Sequence, residues 1–262
     1  MSKFAGLLGP MEDAARRAGA SLRGHFARRS ERVVQNKAVA DFVSDADLAA
    51  EAAIRATLEA QLPGFSLLME ESGQSGLGGD RMIVDPLDGT TNFLHGIPHF
   101  AVSIGAEVGG VLVAGVIYEP IGDRMYRASR GGGAWLGEQR LQVSTESDVG
   151  RAIFATGIPF LGRGDHPLFL QQLAGVMAVS AGVRRFGSAA LDLAWVASGQ
   201  FDGFWEADLK SWDLAAGVLL VEEAGGVARA FDGSGQILES GTVVATPRPL
   251  QAPLRRTLGL EP

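Results

Sequence analysis

Residues 85–93 read DPLDGTTNF and directly follow the apolar residues 82–84, which are predicted to form a buried strand. Two carboxylates, Asp85 and Asp88, therefore leave the end of that strand, and Pro86 stiffens the turn between them. Hard divalent cations such as Mg2+ prefer oxygen ligands at about 2.0 to 2.1 Å. This strand end is therefore predicted to hold cations, and the rest of the fold is expected to bring further oxygen ligands to it.

The same segment offers a place for a phosphate group. Gly89 and Thr90 carry backbone N–H groups at the predicted start of a helix, where anions bind well. An alternative is a purely local role for the aspartates, because Asp-Gly pairs form turns and Asp88 can cap the helix. Other acidic residues near predicted element ends favour the cation site over that alternative. They are Asp47, Glu70, Glu71 and Asp213.

Four segments, in this order and spacing, resemble the inositol monophosphatase family, and the likeness covers nearly the whole chain. The segments are EES at 70–72, DPLDGTTNF at 85–93, GSAALDLA at 187–194, and WDLAAG at 212–217 with EAGG at 223–226. The family consists of Mg2+-dependent, Li+-sensitive phosphomonoesterases. The likeness is strongest to its bacterial inositol-1-monophosphatase branch.

By this resemblance, two or three Mg2+ ions are expected in one site. The implied ligands are Glu70, Asp85, the Leu87 carbonyl, Asp88 and Asp213. The attacking water is assigned to Glu70, with Asp47 and the Thr90 hydroxyl orienting and deprotonating it. Asp47 also fits a capping box that begins at Ser44, and the two roles are compatible.

The resemblance also implies a set of substrate contacts. These are Asp88, Gly89, Thr90, Ala189, Glu206 and Asp213. For Glu206 the alternative is an exposed acid at a strand end. Two residues depart from the family pattern, since Met69 stands where Gly is frequent and Ser211 where Pro is frequent. Neither departure removes a ligand, but both are expected to alter loop stiffness or pocket shape.

Composition sets limits on the class of protein. The formal charge of −7 argues against general nucleic-acid binding. No apolar run approaches the roughly 18 residues of a membrane span, and charged residues interrupt the N-terminal segment before a signal peptide can form. We therefore expect a cytoplasmic protein. The absence of cysteine excludes disulfides and thiolate chemistry.

Periodicity and turn residues predict the order of elements. Helices are predicted at 11–28 and from Ser44 to about residue 61, strands at 65–69 and 82–84, and a mobile loop at 73–80. Antiparallel strands follow over 101–143, with a hairpin at Gly109-Gly110. After Asp148 strands and helices alternate. The strands are predicted at 152–156, 183–186 and 203–206, and the helices at 166–180, 189–198 and 213–224.

The expected fold class is α/β (α+β). The resemblance implies a five-layer α/β/α/β/α sandwich of the sugar phosphatase type. We expect one phosphatase domain over residues 1–262, with an N-terminal half of about 1–147 that contains an antiparallel sheet and a smaller C-terminal α/β half of about 148–262.

The expected activity is hydrolysis of myo-inositol monophosphate by metal-activated water. Histidinol phosphate, fructose 1,6-bisphosphate and 3'-phosphoadenosine 5'-phosphate are alternative substrates for the same chemistry. The resemblance further implies a homodimer that acts on a small molecule, without membrane or direct nucleic-acid binding. A binding role in transcription antitermination is an additional hypothesis, because some bacterial relatives associate with that machinery.

Overall fold

The computed structural model describes residues 2–28, 34–38, 41–76 and 78–261, with only the backbone described for 34–38 and 41–44. The α-helices of this part are α1 (Leu8–Ala27), α2 (Asp45–Gln61), α3 (Thr90–His95), α4 (His166–Val179), α5 (Ala189–Ala197), α6 (Ser211–Glu223), α7 (Ile237–Ser240) and α8 (Arg248–Thr257). Among these helices, none combines the length and apolar character that crossing a bilayer would require.

The described strands form a two-stranded ribbon and two larger sheets. The ribbon contains β1 (Val34–Ala38) and β2 (Asp41–Ser44). The large sheet contains β3 (Ser66–Met69), β4 (Gly73–Ser75), β5 (Arg81–Asp88), β6 (Ala101–Val108), β7 (Val111–Glu119), β8 (Arg124–Ser129), β9 (Gly133–Leu136) and β10 (Gln139–Arg140). Its strand order is β10-β9-β8-β7-β6-β5-β3-β4. The small sheet contains β11 (Ile153–Thr156), β12 (Gly182–Arg184), β13 (Gly203–Glu206), β14 (Val227–Arg229) and β15 (Val243–Thr246). Its strand order is β12-β11-β13-β15-β14.

Helices and sheets alternate in five layers, as the resemblance implied. Helices α1 and α2 cover one face of the large sheet, and α5 and α6 lie between the two sheets. Helices α4 and α8 cover the outer face of the small sheet. Because α5 and α6 are buried on both sides, their residues are apolar nearly all round, and the layer forms one continuous core with both sheets.

Most predicted elements are present. Gly109 and Gly110 both have positive φ and join the antiparallel strands β6 and β7, which confirms the hairpin. The alternation after residue 148 is also confirmed, with element bounds within about two residues of the predicted ones.

Two expectations about the large sheet need correction. The pair β3–β5 is parallel, although the sheet is otherwise antiparallel. The segment 73–80 is not entirely a loop, because Gly73–Ser75 forms the edge strand β4 against β3. The capping box at the start of α2 depends on the Ser44 side chain, which lies outside the described part of the chain.

Helix α6 approaches the large sheet closely because two strand positions lack a side chain. A Cβ atom on Gly105 would lie 2.6 Å from the Ala215 Cβ, and one on Gly115 would lie 3.0 Å from the Ala216 Cα. These distances leave no room for a methyl group. The close approach fixes where the start of α6 meets the sheet.

Replacing Gly105 with Ala should therefore destabilise the protein by about 1 to 3 kcal/mol, the usual cost of overpacking a core. Urea unfolding followed by tryptophan fluorescence measures the change. Gly64→Ala is the matched control, because Gly64 is exposed and an added Cβ there meets nothing within 4 Å. An equal unfolding midpoint for the two variants would show that α6 can shift away from the sheet without cost.

Candidate active site

The acidic residues of the large sheet meet because β3 and β5 run parallel. Their carboxyl ends lie at the same edge, and the Glu70 N–H donates to the Val84 carbonyl oxygen at 3.1 Å just after β3 ends. In a regular strand Asp85 and Asp88 would point to opposite faces. The pairing of β5 with β6 is irregular between these two residues, so both carboxylates reach one site.

The third aspartate comes from helix α6. The Ser103 hydroxyl on β6 donates to the Trp212 carbonyl oxygen at 3.1 Å, which ties the start of α6 to the sheet. Asp213 follows in the first turn, and its Oδ2 accepts the Lys210 N–H at 2.7 Å. One carboxylate oxygen from each of Asp85, Asp88 and Asp213 lies within 4.8 Å of the other two.

Burial beside other acidic groups raises the pKa of all three carboxyl groups. Burial is the largest cause in each case, and Glu70 adds its charge to all of them. The pKa of Asp88 is raised to about 6 and that of Asp213 to about 7. The pKa of Asp85 is raised well above its usual range by burial and by Glu70, Asp88 and Asp213, against the lowering effect of the Leu87 N–H.

The donor set fits divalent cations. Two carboxylates about 4 Å apart repel each other by about 4 kcal/mol at an effective dielectric constant of 20, so the cluster requires protons or cations. Its donors are oxygen atoms, as Mg2+ prefers, and the chain has no cysteine to favour softer metals. Glu70 and Leu87 line the same cavity as the three aspartates.

Thr90 and Asp47 form a pair beside this cluster. The Thr90 Oγ1 lies 3.3 Å from the Asp47 Oδ1 and 3.1 Å from the Leu87 carbonyl oxygen, so its single proton can be donated to either. Asp47 is fully buried in the first turn of α2. Thr90 lines the cavity and places its hydroxyl between the cavity and Asp47.

The predicted phosphate-binding backbone stands at the start of α3. Gly89 has φ 96° and precedes Thr90, the first residue of the helix. A Cβ atom on Gly89 would lie 3.1 Å from the His99 carbonyl oxygen and 3.3 Å from the Gly187 carbonyl oxygen. Glycine is therefore required here both by the positive φ and by the lack of space for a side chain. Asp88 joins this segment to α5, because its Oδ2 accepts the Ser188 hydroxyl at 2.6 Å and the Ala190 N–H at 2.7 Å.

The other predicted substrate residues face the same cavity, which has a volume of about 900 Å³. Ala189 begins α5, and Glu206 ends β13. Glu206 is therefore not an exposed strand-end acid: it lines the cavity, and burial, with Asp213 and Asp88 as secondary causes, raises its pKa to about 8.

The two departures from the family pattern leave the cluster in place. Met69 is fully buried in the core under α1 and α2, and Ser211 is the first residue of α6. Met69 precedes Glu70 and Ser211 stands two residues before Asp213, and both acidic residues line the cavity.

Sequence reasoning did not assign a role to three further cavity residues: Gly157, Arg163 and Asp192. For Asp192 a signal was available, because it is the single charged residue in an otherwise apolar helix. Arg163 and Gly157 carried no comparable signal. Their position depends on where the loop before α4 meets β13.

His99 is a packing residue. Its ring contacts Phe186 and Trp195 with centroid distances of 5.2 and 5.3 Å. Burial, together with the charge of Arg124, lowers its pKa to about 4.

The layered fold and the acidic centre between its sheets are typical of a metal-dependent phosphatase. A sequence model described as the inositol monophosphatase family matches residues 7–258. The chain belongs to the inositol monophosphatase family.

Individual relatives agree with this assignment. An inositol-1-monophosphatase of Mesorhizobium japonicum is 49% identical over 254 residues, covering 96% of each chain. A Nus factor SuhB of Pseudomonas aeruginosa is 43% identical over 246 residues, covering 90% of this chain and 91% of that protein. The crystal structure of the extragenic suppressor protein suhB from Bartonella henselae superposes with a TM-score of 0.94 at 45% identity, covering 97% of this chain and 98% of that one.

Proposed function

We propose that this phosphatase hydrolyses myo-inositol monophosphate to myo-inositol and phosphate in a Mg2+-dependent reaction. The observation that carries the proposal is the convergence of Asp85, Asp88 and Asp213 within 4.8 Å at one cavity. Glu206 and Ala189 line that cavity and offer hydrogen-bond partners for an alcohol. The 49% identical inositol-1-monophosphatase of M. japonicum supports the choice of substrate.

The cations would be held by the three aspartates with Glu70 and the Leu87 carbonyl. When bound, they would supply Lewis acidity, which acidifies the attacking water and neutralises charge on the leaving oxygen. The Thr90 hydroxyl orients the water, and Asp47 accepts its proton through Thr90. Burial of Asp47 keeps that route isolated from bulk solvent.

Phosphate and alcohol are bound by different parts of the site. The N–H groups of Gly89 and Thr90 bind phosphate oxygens at the start of α3. The Glu206 carboxyl group and the Ala189 backbone bind the free hydroxyls of the alcohol. Asp88 and Asp213 stand between the two parts and serve both.

A phosphate-release panel in the presence of Mg2+ tests the substrate. It compares inositol monophosphates with histidinol phosphate, fructose 1,6-bisphosphate and 3'-phosphoadenosine 5'-phosphate. The highest kcat/KM is expected for an inositol monophosphate, and LiCl is expected to inhibit. A higher kcat/KM for one of the other esters would replace the substrate and leave the chemistry in place. No Mg2+-dependent release from any ester would refute the proposal.

Asp47→Asn should lower kcat by about 10² to 10⁴, the usual contribution of a positioned general base. The cation ligands are untouched, so Mg2+ should still raise the thermal midpoint as it does in the wild type. Phosphate release gives the first quantity and scanning fluorimetry the second. Wild-type kcat in this variant would assign Asp47 to the capping of α2 alone.

We also propose association with the transcription antitermination machinery, because the relative in P. aeruginosa is named a Nus factor. Pull-down with purified bacterial RNA polymerase and antitermination factors tests it. An inactive active-site variant that is still captured would separate binding from turnover, whereas no capture of either form would refute the association. A homodimer and a cytoplasmic location are proposed on the resemblance, to be tested by analytical ultracentrifugation and cell fractionation.

A further inference from the structure

Asp192 is a buried acid at the cavity with no role in the chemistry above. It is 1% exposed and lines the cavity from the first turns of α5. Its Oδ1 has no hydrogen-bond partner among the residues that the structure describes. A buried carboxyl oxygen without a donor is unfavourable, so a donor that enters the cavity would be stabilising there.

Glu206 is the strongest charged influence on Asp192. Burial is the main cause that raises the pKa of the Asp192 carboxyl group, and the Glu206 charge is next. Both acids line the same cavity, and their elements α5 and β13 are in contact, so the two acids lie on the part of the cavity that the alcohol occupies under the proposed function. Together they present up to four acceptor oxygens.

Gly157 determines where the Glu206 carboxyl group lies. A Cβ atom on Gly157 would coincide with that carboxyl group, so Glu206 rests against the bare Cα just after β11. The obstructed atoms are the far end of a flexible side chain. A side chain at 157 would therefore displace the carboxyl group without disturbing the backbone.

The charge balance favours hydroxyl donors over an ammonium group. Arg185 lowers the pKa of both acids, and Arg163 lowers that of Glu206. Under the proposed function Asp88 and Asp213 are occupied by cations, which leaves two acids facing two guanidinium groups. With two guanidinium groups against at most two negative charges, the site has no net negative charge to attract an ammonium group, while its carboxyl oxygens still accept hydrogen bonds from neutral hydroxyls.

We propose that Asp192 is a specificity-determining residue that, together with Glu206, binds the free hydroxyl groups of a polyol phosphomonoester. This inference rests on the proposed function and adds to it the residue that selects the alcohol. Gly157 is a positioning residue, because it acts through Glu206.

Steady-state kinetics of Asp192→Asn test the inference. Asparagine keeps the shape but replaces one acceptor oxygen with a donor, so KM for myo-inositol 1-phosphate should rise about ten-fold or more, with a smaller change in kcat. The inhibition constant of inorganic phosphate should stay within about two-fold of the wild type, because phosphate reaches only the cations and α3. Loss of fold or of the metal centre would move both quantities.

Two further variants keep the test decisive. Gly157→Ala should raise KM in the same way while all acidic residues remain, because it displaces the Glu206 carboxyl group that acts together with Asp192. Glu138→Gln is the control, because Glu138 is exposed and does not line the cavity. An unchanged KM in both cavity variants, or a parallel rise in KM and in the phosphate inhibition constant, would overturn the inference.

The substrate panel separates the remaining outcomes. A selective rise in KM for histidinol phosphate, which carries an amine, would overturn the assignment to hydroxyl groups. Wild-type inactivity on every inositol phosphate would refute the proposed function itself. Wild-type activity on inositol phosphate with an unchanged KM in the cavity variants would refute only the role of Asp192.

Discussion

Asp88→Asn is expected to lower kcat by about 10³ or more, because under the proposed function it removes a metal ligand, which costs several kcal/mol of transition-state stabilisation. The fold should survive. The asparagine amide oxygen can still accept the Ser188 hydroxyl and the Ala190 N–H that Asp88 Oδ2 accepts at 2.6 and 2.7 Å. Its NH2 group then points toward the cluster, where it cannot bind a cation.

Phosphate release at saturating Mg2+ measures the loss, and Glu138→Gln provides a control that removes an exposed acid. Without added metal, Asp88→Asn should be at least as stable as the wild type, since one of three repelling acids is gone. Wild-type turnover in this variant would show that Asp88 serves only the turn before α3.

Removal of divalent cations should abolish activity and make the folded protein less stable as the pH rises from about 5 to 8. The folded pKa is raised to about 6 for Asp88 and to about 7 for Asp213, whereas an unfolded aspartate titrates near 3.9. Between these values the folded state binds more protons than the unfolded state, so stability falls with rising pH. The stability that protonation of Asp88 and Asp213 contributes is fully present below the unfolded pKa. It is lost as the pH rises through the two folded pKa values.

Scanning fluorimetry in EDTA should show this as a fall in Tm of about 5 °C or more across that pH range, because one pKa unit corresponds to about 1.4 kcal/mol and one kcal/mol to about 2 to 4 °C. Saturating Mg2+ should raise Tm most at pH 8 and remove most of the slope, since cations replace the protons. Asp88→Asn should flatten the EDTA profile. Parallel EDTA and Mg2+ profiles would contradict the convergence of the three aspartates.

Local chemistry accounts for the elements that were predicted correctly. Glycines with positive φ make the turn at 109–110, and hydrophobic periodicity marks the alternating elements after residue 148. The elements after residue 226 were not predicted. Their strands are three or four residues long, and α7 has four, too short for a periodicity to show. Helix α8 has ten residues, but it contains Pro253, a residue that usually breaks a helix.

The residues of the candidate site could be predicted from the sequence, but their arrangement in space could not. Asp85, Asp88 and Asp213 stand in recognisable segments, and the structure brings them within 4.8 Å of one another. That both sheet aspartates face one site depends on the irregular pairing of β5 with β6, which no local pattern indicates. The parallel neighbour β3, which brings Glu70 to the same edge, was likewise not predicted.

The sequence by itself determined the family, the order of most elements and the acidic residues that can bind cations, because these depend on residue types and their spacing. Only the tertiary structure decided how strongly the aspartates hold protons, where Glu206 lies against Gly157, and that Asp192 faces the cavity. The reason is physical: burial and side-chain direction depend on neighbours that are distant in the chain, such as Ser188 at 100 residues from Asp88.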